Sequence, residues 1–191
     1  MHVWAWRYAP RMDQADLDRL KANAHVTMAD LEEAEARILA DLKAVGVKPR
    51  DLWYLTDEAK KPEYVDAMPI LIGYLDEEIP EKIKAQVARC LAVKAASPWW
   101  DELLRRFETM PDGWTREGLA AAVSEGFTKA RLERLFPLID DEAGGKDRVL
   151  FVRPLKRIRD PRVLPFLEER RDDPVLGTEI RRALAGRSRN S

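Results

Sequence analysis

The chain has 191 residues, 35% of them charged, with a formal net charge of −1 and a single cysteine. A chain of this length suits one domain or one continuous stack and buries on the order of 70% of its unfolded surface without a staple. Lone Cys90 excludes an intrachain disulfide, and no stretch approaches the roughly 20 apolar residues of a membrane span; with no export-like run in residues 1–10, a cytoplasmic setting is expected.

In chain order, residues 1–10 alternate Trp4, Trp6 and Tyr8 with smaller or charged neighbours. Period two over so few residues predicts an extended arm, either sealing a helix face or reaching a partner. Residues 13–24 read as a short helix with Leu17 and Leu20 three apart. Thr27-Met28-Ala29-Asp30 has the form of a capping box with Asp in place of Glu. The helix it opens carries Met28, Leu31, Ile38, Leu39, Leu42 and Val45 and stops at Gly46. A short helix is expected near 50–60, making 28–61 a degenerate first unit within an N-terminal capping region, 1–61.

Beyond this, Lys61-Pro62, Ile79-Pro80, Ser97-Pro98, Asp160-Pro161 and Asp173-Pro174 place proline where helices begin, since its missing N–H has no partner there anyway. Ser97, Asp160 and Asp173 can cap free amides. The spacing predicts helix pairs over 63–76 and 80–96, 98–109 and 114–125, 128–141 and 146–158, and 160–171 and 174–186. Asp112-Gly113 and Gly144-Gly145 supply turns within the middle pairs, and residues 187–191 read as a frayed tail.

These pairs repeat with a period of about 32 residues. Leu71, Ile72 and Leu75 step to Leu103, Leu104 and Phe107, then to Leu135, Phe136 and Ile139, and after a shorter step to Val163, Leu164 and Leu167. In parallel, Val87 and Leu91 step to Leu119 and Val123, to Phe151 and Leu155, and to Ile180 and Leu184. Two apolar stripes per unit, repeated in phase, predict an all-α solenoid of about four stacked helix pairs over 62–186. The acids Asp76, Glu108 and Asp140 each precede a base, Lys84, Arg116 or Arg148, by eight residues, so acid-to-base pairing between adjacent units is expected.

The run from Leu155 to Leu167, where one helix ends, Asp160-Pro161 turns and the next begins with apolar pairs, resembles HEAT-type repeats, most closely the short bacterial kind. Ile83-Lys84 with Val87, Cys90 and Leu91 is similar to that family's second helix. The resemblance covers about 62–186. It implies a right-handed α-solenoid whose second helices line a concave side, and a scaffold or binding role, since few members are enzymes.

Trp100 aligns with the core positions Met68 and Leu132, whereas Trp99 aligns with Ala67, Arg131 and Arg159 and is not required for packing. Trp99-Trp100-Asp101 resembles a short motif of HEAT-like DNA alkylation-repair glycosylases, but Leu104 stands where the resemblance would place the catalytic acid. Arg89, Arg153 and Arg182 align along the second helices. Together with Trp99 they form the candidate binding set.

Residues 1–143 hold 20 basic and 27 acidic residues, net −7, and residues 144–191 hold 13 and 7, net +6. The basic C-terminal quarter is suited to a negative partner. The leading expectation is a non-enzymatic module binding a protein on its concave face. The alternative is nucleic-acid binding through the same arginines, for which counterion release predicts a steep salt dependence. No cofactor or metal is expected: His2 and His25 lack a neighbouring ligand, and no phosphate-cradling glycine loop or nucleophile elbow is present.

Overall fold

The computed structural model describes residues 24–60 and 64–188, together with positions 14, 17, 18 and 21, which are helical. The Trp4, Trp6, Tyr8 arm, much of the helix expected over 13–24, and residues 189–191 lie outside the described residues. Within them the protein is all-helical, without strands.

Helix α1 spans Met28–Ala44. Its capping box is complete: the Asp30 amide donates to Thr27 Oγ1 at 3.2 Å, and the Thr27 amide donates to Asp30 Oδ2 at 2.7 Å. At the other end Gly46 adopts φ +90°, which lets its amide reach the Lys43 carbonyl and the Val47 amide reach that of Leu42. This is a Schellman closure, and Val47 and Leu42 are both buried across it. A 3₁₀ segment, Leu52–Lys60, follows where a short helix was expected.

Four helix pairs come next. They are α2 (Tyr64–Tyr74) with α3 (Glu81–Cys90), and α4 (Trp100–Thr109) with α5 (Trp114–Glu125). Then come α6 (Leu132–Asp140) with α7 (Arg148–Val152), and α8 (Val163–Glu169) with α9 (Gly177–Ser188). Helix starts follow the anticipated chemistry in part: Pro80, Pro98, Pro161 and Pro174 lie just before the α-helices rather than at their first residue, and Ser97 makes no cap. Pro80 caps α3, its carbonyl accepting from the Ile83 and Lys84 amides, and Asp173 Oδ1 accepts from the Val175 and Leu176 amides at 2.8 Å each. The helix expected over 146–158 breaks instead: α7 is five residues long and continues as a 3₁₀ turn, Arg153–Arg157. Pro154 lies in that turn and has no N–H to continue the α ladder. The expected 80–96 helix likewise ends at Cys90, with a separate 3₁₀ segment at Lys94–Trp99.

The second helices pack in series: α3 on α5, α5 on α7, and the 153–157 turn on α9. Each also packs on its own first helix. Side-chain hydrogen bonds tie first helix to second: Tyr64 Oη donates to the Cys90 carbonyl at 2.8 Å and Trp100 Nε1 to that of Val123 at 2.8 Å. The in-phase apolar positions form one buried core, with three departures, of which Leu184 is half-buried at its edge. Leu164 is 44% exposed, because Val163, Phe166 and Leu167 occupy the buried face of α8 at i, i+3 and i+4. Phe136 is half-buried and stacks on Phe166, ring centroids 4.0 Å apart.

A third row explains how closely neighbours approach. Ala88, Ala120 and Val152, at 32-residue steps on the second helices, are fully buried. The corresponding residue on α9 is Arg181, which is exposed and donates to the Arg171 carbonyl, so the outer side of α9 is solvated. Between α3 and α5 the closeness depends on Gly118, where a Cβ would lie 2.7 Å from Ala88 Cβ and 3.1 Å from the Ala85 carbonyl oxygen. Overpacking costs about 1–3 kcal/mol, against a helix-propensity gain of about 1 kcal/mol. Gly118→Ala is therefore expected to destabilise by about 1 kcal/mol, seen as a lower urea midpoint at unchanged slope.

Candidate interaction surface

The charged residues fall into three rows, and their geometry separates structural cations from available ones. The first row runs along the first helices and reaches back about one unit each time. Arg106 grips Asp76 with both terminal nitrogens, one at 2.9 Å, and also holds Glu102 at 2.9 Å. Arg134 pairs with Asp101, Arg162 with Glu133, and Arg170 with Asp140 at 2.5 and 2.8 Å. The Arg106 guanidinium holds the Asp76 carboxyl below the usual carboxylate range.

The second row lies at the starts of second helices. Arg116 donates to Asp147 at 2.7 Å and lies over the Phe107 ring, 4.2 Å from its centroid. Arg148, itself buried, donates to the Ile139 carbonyl at 2.6 Å and to Asp173 at 3.0 Å. An acid-to-base ladder therefore exists for two of the three acids, with different partners from those expected, while Glu108 is exposed and forms no ion pair among the described residues. Asp76 and Asp140 go to Arg106 and Arg170 rather than to Lys84 and Arg148. The acids end first helices, where the closest long cation belongs to the next first helix. The bases that open second helices reach forward to Asp147 and Asp173.

This second row lacks an acid at its first step. Thr115 occupies the position 32 residues before Asp147. Its amide is satisfied by Glu81 Oε1 at 3.0 Å, but its hydroxyl is buried without a hydrogen-bond partner among the described residues. An unpaired buried hydroxyl is costly and valine has the same shape. Thr115→Val is expected to stabilise by about 1 kcal/mol, measured by thermal or denaturant unfolding.

The third row contains Arg89 on α3, Arg153 at the start of the 153–157 turn and Arg182 on α9. All three are exposed. The equivalent position on α5 is Ala121, which leaves one gap in the row. Arg153 and Arg182 stand on elements in direct contact, while Arg89 is separated from Arg153 by α5. Lys156 and Arg157 are exposed in the same turn as Arg153. The sequence row missed these two, because their 32-residue equivalents are not basic and exposure is not a property of spacing. Among the described residues Arg89, Arg153, Lys156 and Arg157 form no ion pair, and Arg182 lies 3.3 Å from Glu179.

Trp99 stands apart from this row. It precedes α4 at the junction between units, half-buried against the core. It has a packing role that its alignment with Arg131 and Arg159 did not anticipate, although Ala67, also aligned, is fully buried. Trp100 is fully buried, with the Arg131 and Arg134 guanidinium carbons each 5.0 Å from its ring centroid. Asp101 is engaged by Arg134, and Leu104 is in the core.

A cleft of about 630 Å³ opens between the start of α1 and the start of α3, lined by charges of both signs, among them Asp30, Glu33, Arg37, Glu81 and Lys84. Cys90 is fully buried, its Sγ 3.2 Å from the Leu52 carbonyl, and burial pushes the thiol up to about 12. His25 is exposed, so the two do not share a site. Among the described residues no three His, Cys, Asp or Glu side chains are grouped as metal ligands, and no helix is long and apolar enough to cross a membrane.

Comparison with known proteins adds no family: no family model, curated protein or solved structure matches the chain.

Proposed function

We propose that the chain is a HEAT-like α-solenoid acting as a non-enzymatic protein-interaction module, with the second helices as its binding face. The architecture is supported by the serial packing of α3, α5, α7 and α9 and by cross-unit polar contacts between residues about 30 apart, from Arg106–Asp76 to Arg170–Asp140. The observation that carries the function is the contrast between rows. First-helix arginines Arg106, Arg134, Arg162 and Arg170 are consumed by acids of the stack, whereas Arg89 and Arg153 on the second-helix side are exposed and form no ion pair among the described residues. Conserving an internal register does not need them.

The test is site-specific photocrosslinking. A crosslinker at Ala121, at the gap in the third row, is expected to capture a discrete protein partner. One at Glu108, exposed on the first helix α4, is expected to capture none. Equal capture from both faces, or none from Ala121, overturns the reading.

A second reading, nucleic-acid binding, is favoured by the net +6 of residues 144–191. It requires a low-salt mobility shift with DNA or RNA that weakens steeply as salt rises.

A further inference from the structure

Resting on the protein-binding reading, we infer that the binding determinant is concentrated in the last two helix pairs, at Arg153, Lys156, Arg157 and Arg182, and that its occupant is a short acidic polypeptide segment.

Three cations, Arg153, Lys156 and Arg157, project within five residues of one 3₁₀ turn and are exposed. That turn packs against α9, the helix that carries Arg182. The Lys156 stem lies against Gly186 on α9, where a Cβ would meet Lys156 Cδ at 3.1 Å, so the two elements are closely apposed. Like charges gathered this way repel unless an external anion compensates them. Elsewhere in the stack comparable arginines have been given an acid one unit away; here none of the three forms an ion pair among the described residues.

The extent of the patch identifies the partner class. Two adjacent helices sit about 10 Å apart, and an extended peptide rises about 3.3 Å per residue. A few carboxylates on a short segment can therefore meet these cations.

A polynucleotide fits less well. Its phosphates need a long cationic track, and on the neighbouring α5 the row position is Ala121 and Glu125 is exposed. Residues 1–143, with net −7, would face the remainder of such a polymer. Single strands also use exposed aromatic platforms. The exposed aromatics among the described residues, Trp53 and Tyr54, belong to the 52–60 segment, not to a second helix. Four acids of the acidic half are engaged within the chain, Asp30 in its capping box, Asp76 by Arg106, Glu77 by Arg37 and Asp101 by Arg134, and a second copy as occupant is an outcome of the test.

The test uses fluorescence anisotropy with a fluorescein-labelled glutamate-rich dodecapeptide, and single-stranded and duplex oligonucleotides as comparators, on the full chain. The combined variant Arg153→Ala, Arg157→Ala, Arg182→Ala removes exposed groups, and far-UV circular dichroism checks that it folds; Lys156 is kept because its stem packs. This variant is expected to weaken peptide binding about tenfold or more, while Arg105→Ala, exposed on α4, leaves it unchanged. The inference is overturned by absence of peptide binding, by peptide binding insensitive to the combined variant, or by tighter binding of the oligonucleotides. A salt-sensitive dimer of the free chain that the combined variant abolishes would assign the patch to a second copy and also overturn it. If Ala121 crosslinking still captures a protein in the combined variant, protein binding stands and the acidic-segment inference alone fails.

Discussion

Trp100→Ala is expected to destabilise the protein by about 3–5 kcal/mol. Trp100 has the largest of the fully buried side chains, and its indole N–H is bonded to the Val123 carbonyl, linking α4 to α5. Truncation leaves a cavity at the junction of two units. It also strands that carbonyl and removes the ring over which Arg131 and Arg134 lie. The loss is a large share of the roughly 5–15 kcal/mol that a native domain has in hand. Trp100→Phe separates the contributions: it keeps much of the apolar volume, loses the hydrogen bond, and should cost about 1–3 kcal/mol. Denaturant titration of the two variants tests the order. Equal costs would place the stabilisation in the hydrogen bond rather than in packing.

Arg116→Met is the second large effect, expected at about 3–5 kcal/mol near neutral pH. Arg116 is 14% exposed and its partner Asp147 only 4%. Removing the guanidinium leaves a buried carboxylate without its cation. Burial already pushes the Asp147 carboxyl above its ordinary value, with Arg116 opposing the shift and Glu117 and Asp112 adding to it. The sign of the pH dependence follows. A raised folded-state value means the native state binds the extra proton, so the Asp147 penalty is absent below the unfolded value of about 3.9 and grows as pH rises toward the folded value. In Arg116→Met the folded value rises further, so the variant's deficit should shrink on acidification. Adding Asp147→Asn should recover much of the loss at neutral pH. A deficit independent of pH and unrelieved by Asp147→Asn would show that the pair carries no electrostatic weight.

The neighbouring rung titrates the other way. Burial also raises Asp173, but the Leu176 and Val175 amides, with Arg148, outweigh it and leave the carboxyl below its ordinary value. Its stability contribution is present above the unfolded carboxylate value and is lost as pH falls through the folded one. The two carboxylates, each with a guanidinium partner, differ because Asp147 is the more deeply buried and has Glu117 and Asp112 nearby, whereas Asp173 receives two backbone N–H groups.

The helix pairs were legible because their signals are local. Apolar spacing at i, i+3 and i+4 defines the face a helix buries, and Thr27, Pro80 and Asp173 act within four residues of themselves. The spacing signal fails where a local rule overrides it, as at Pro154, which has no N–H to donate, and where the step shortens, at Leu164, which faces solvent. The candidate surface was legible only in outline: alignment found Arg89, Arg153 and Arg182 but not Lys156 or Arg157, and it overstated the freedom of Trp99.

By itself, then, the amino-acid order determined that the chain makes paired helices at a period of about 32 residues, because hiding an apolar stripe demands only a repeat in spacing. It also determined that the last quarter is basic. Which cations pair across neighbouring helices and which stay exposed was decided by the tertiary structure. An ion pair requires two groups some 30 residues apart to come within about 4 Å, and that distance depends on helix orientation and side-chain reach, which no period along the chain encodes.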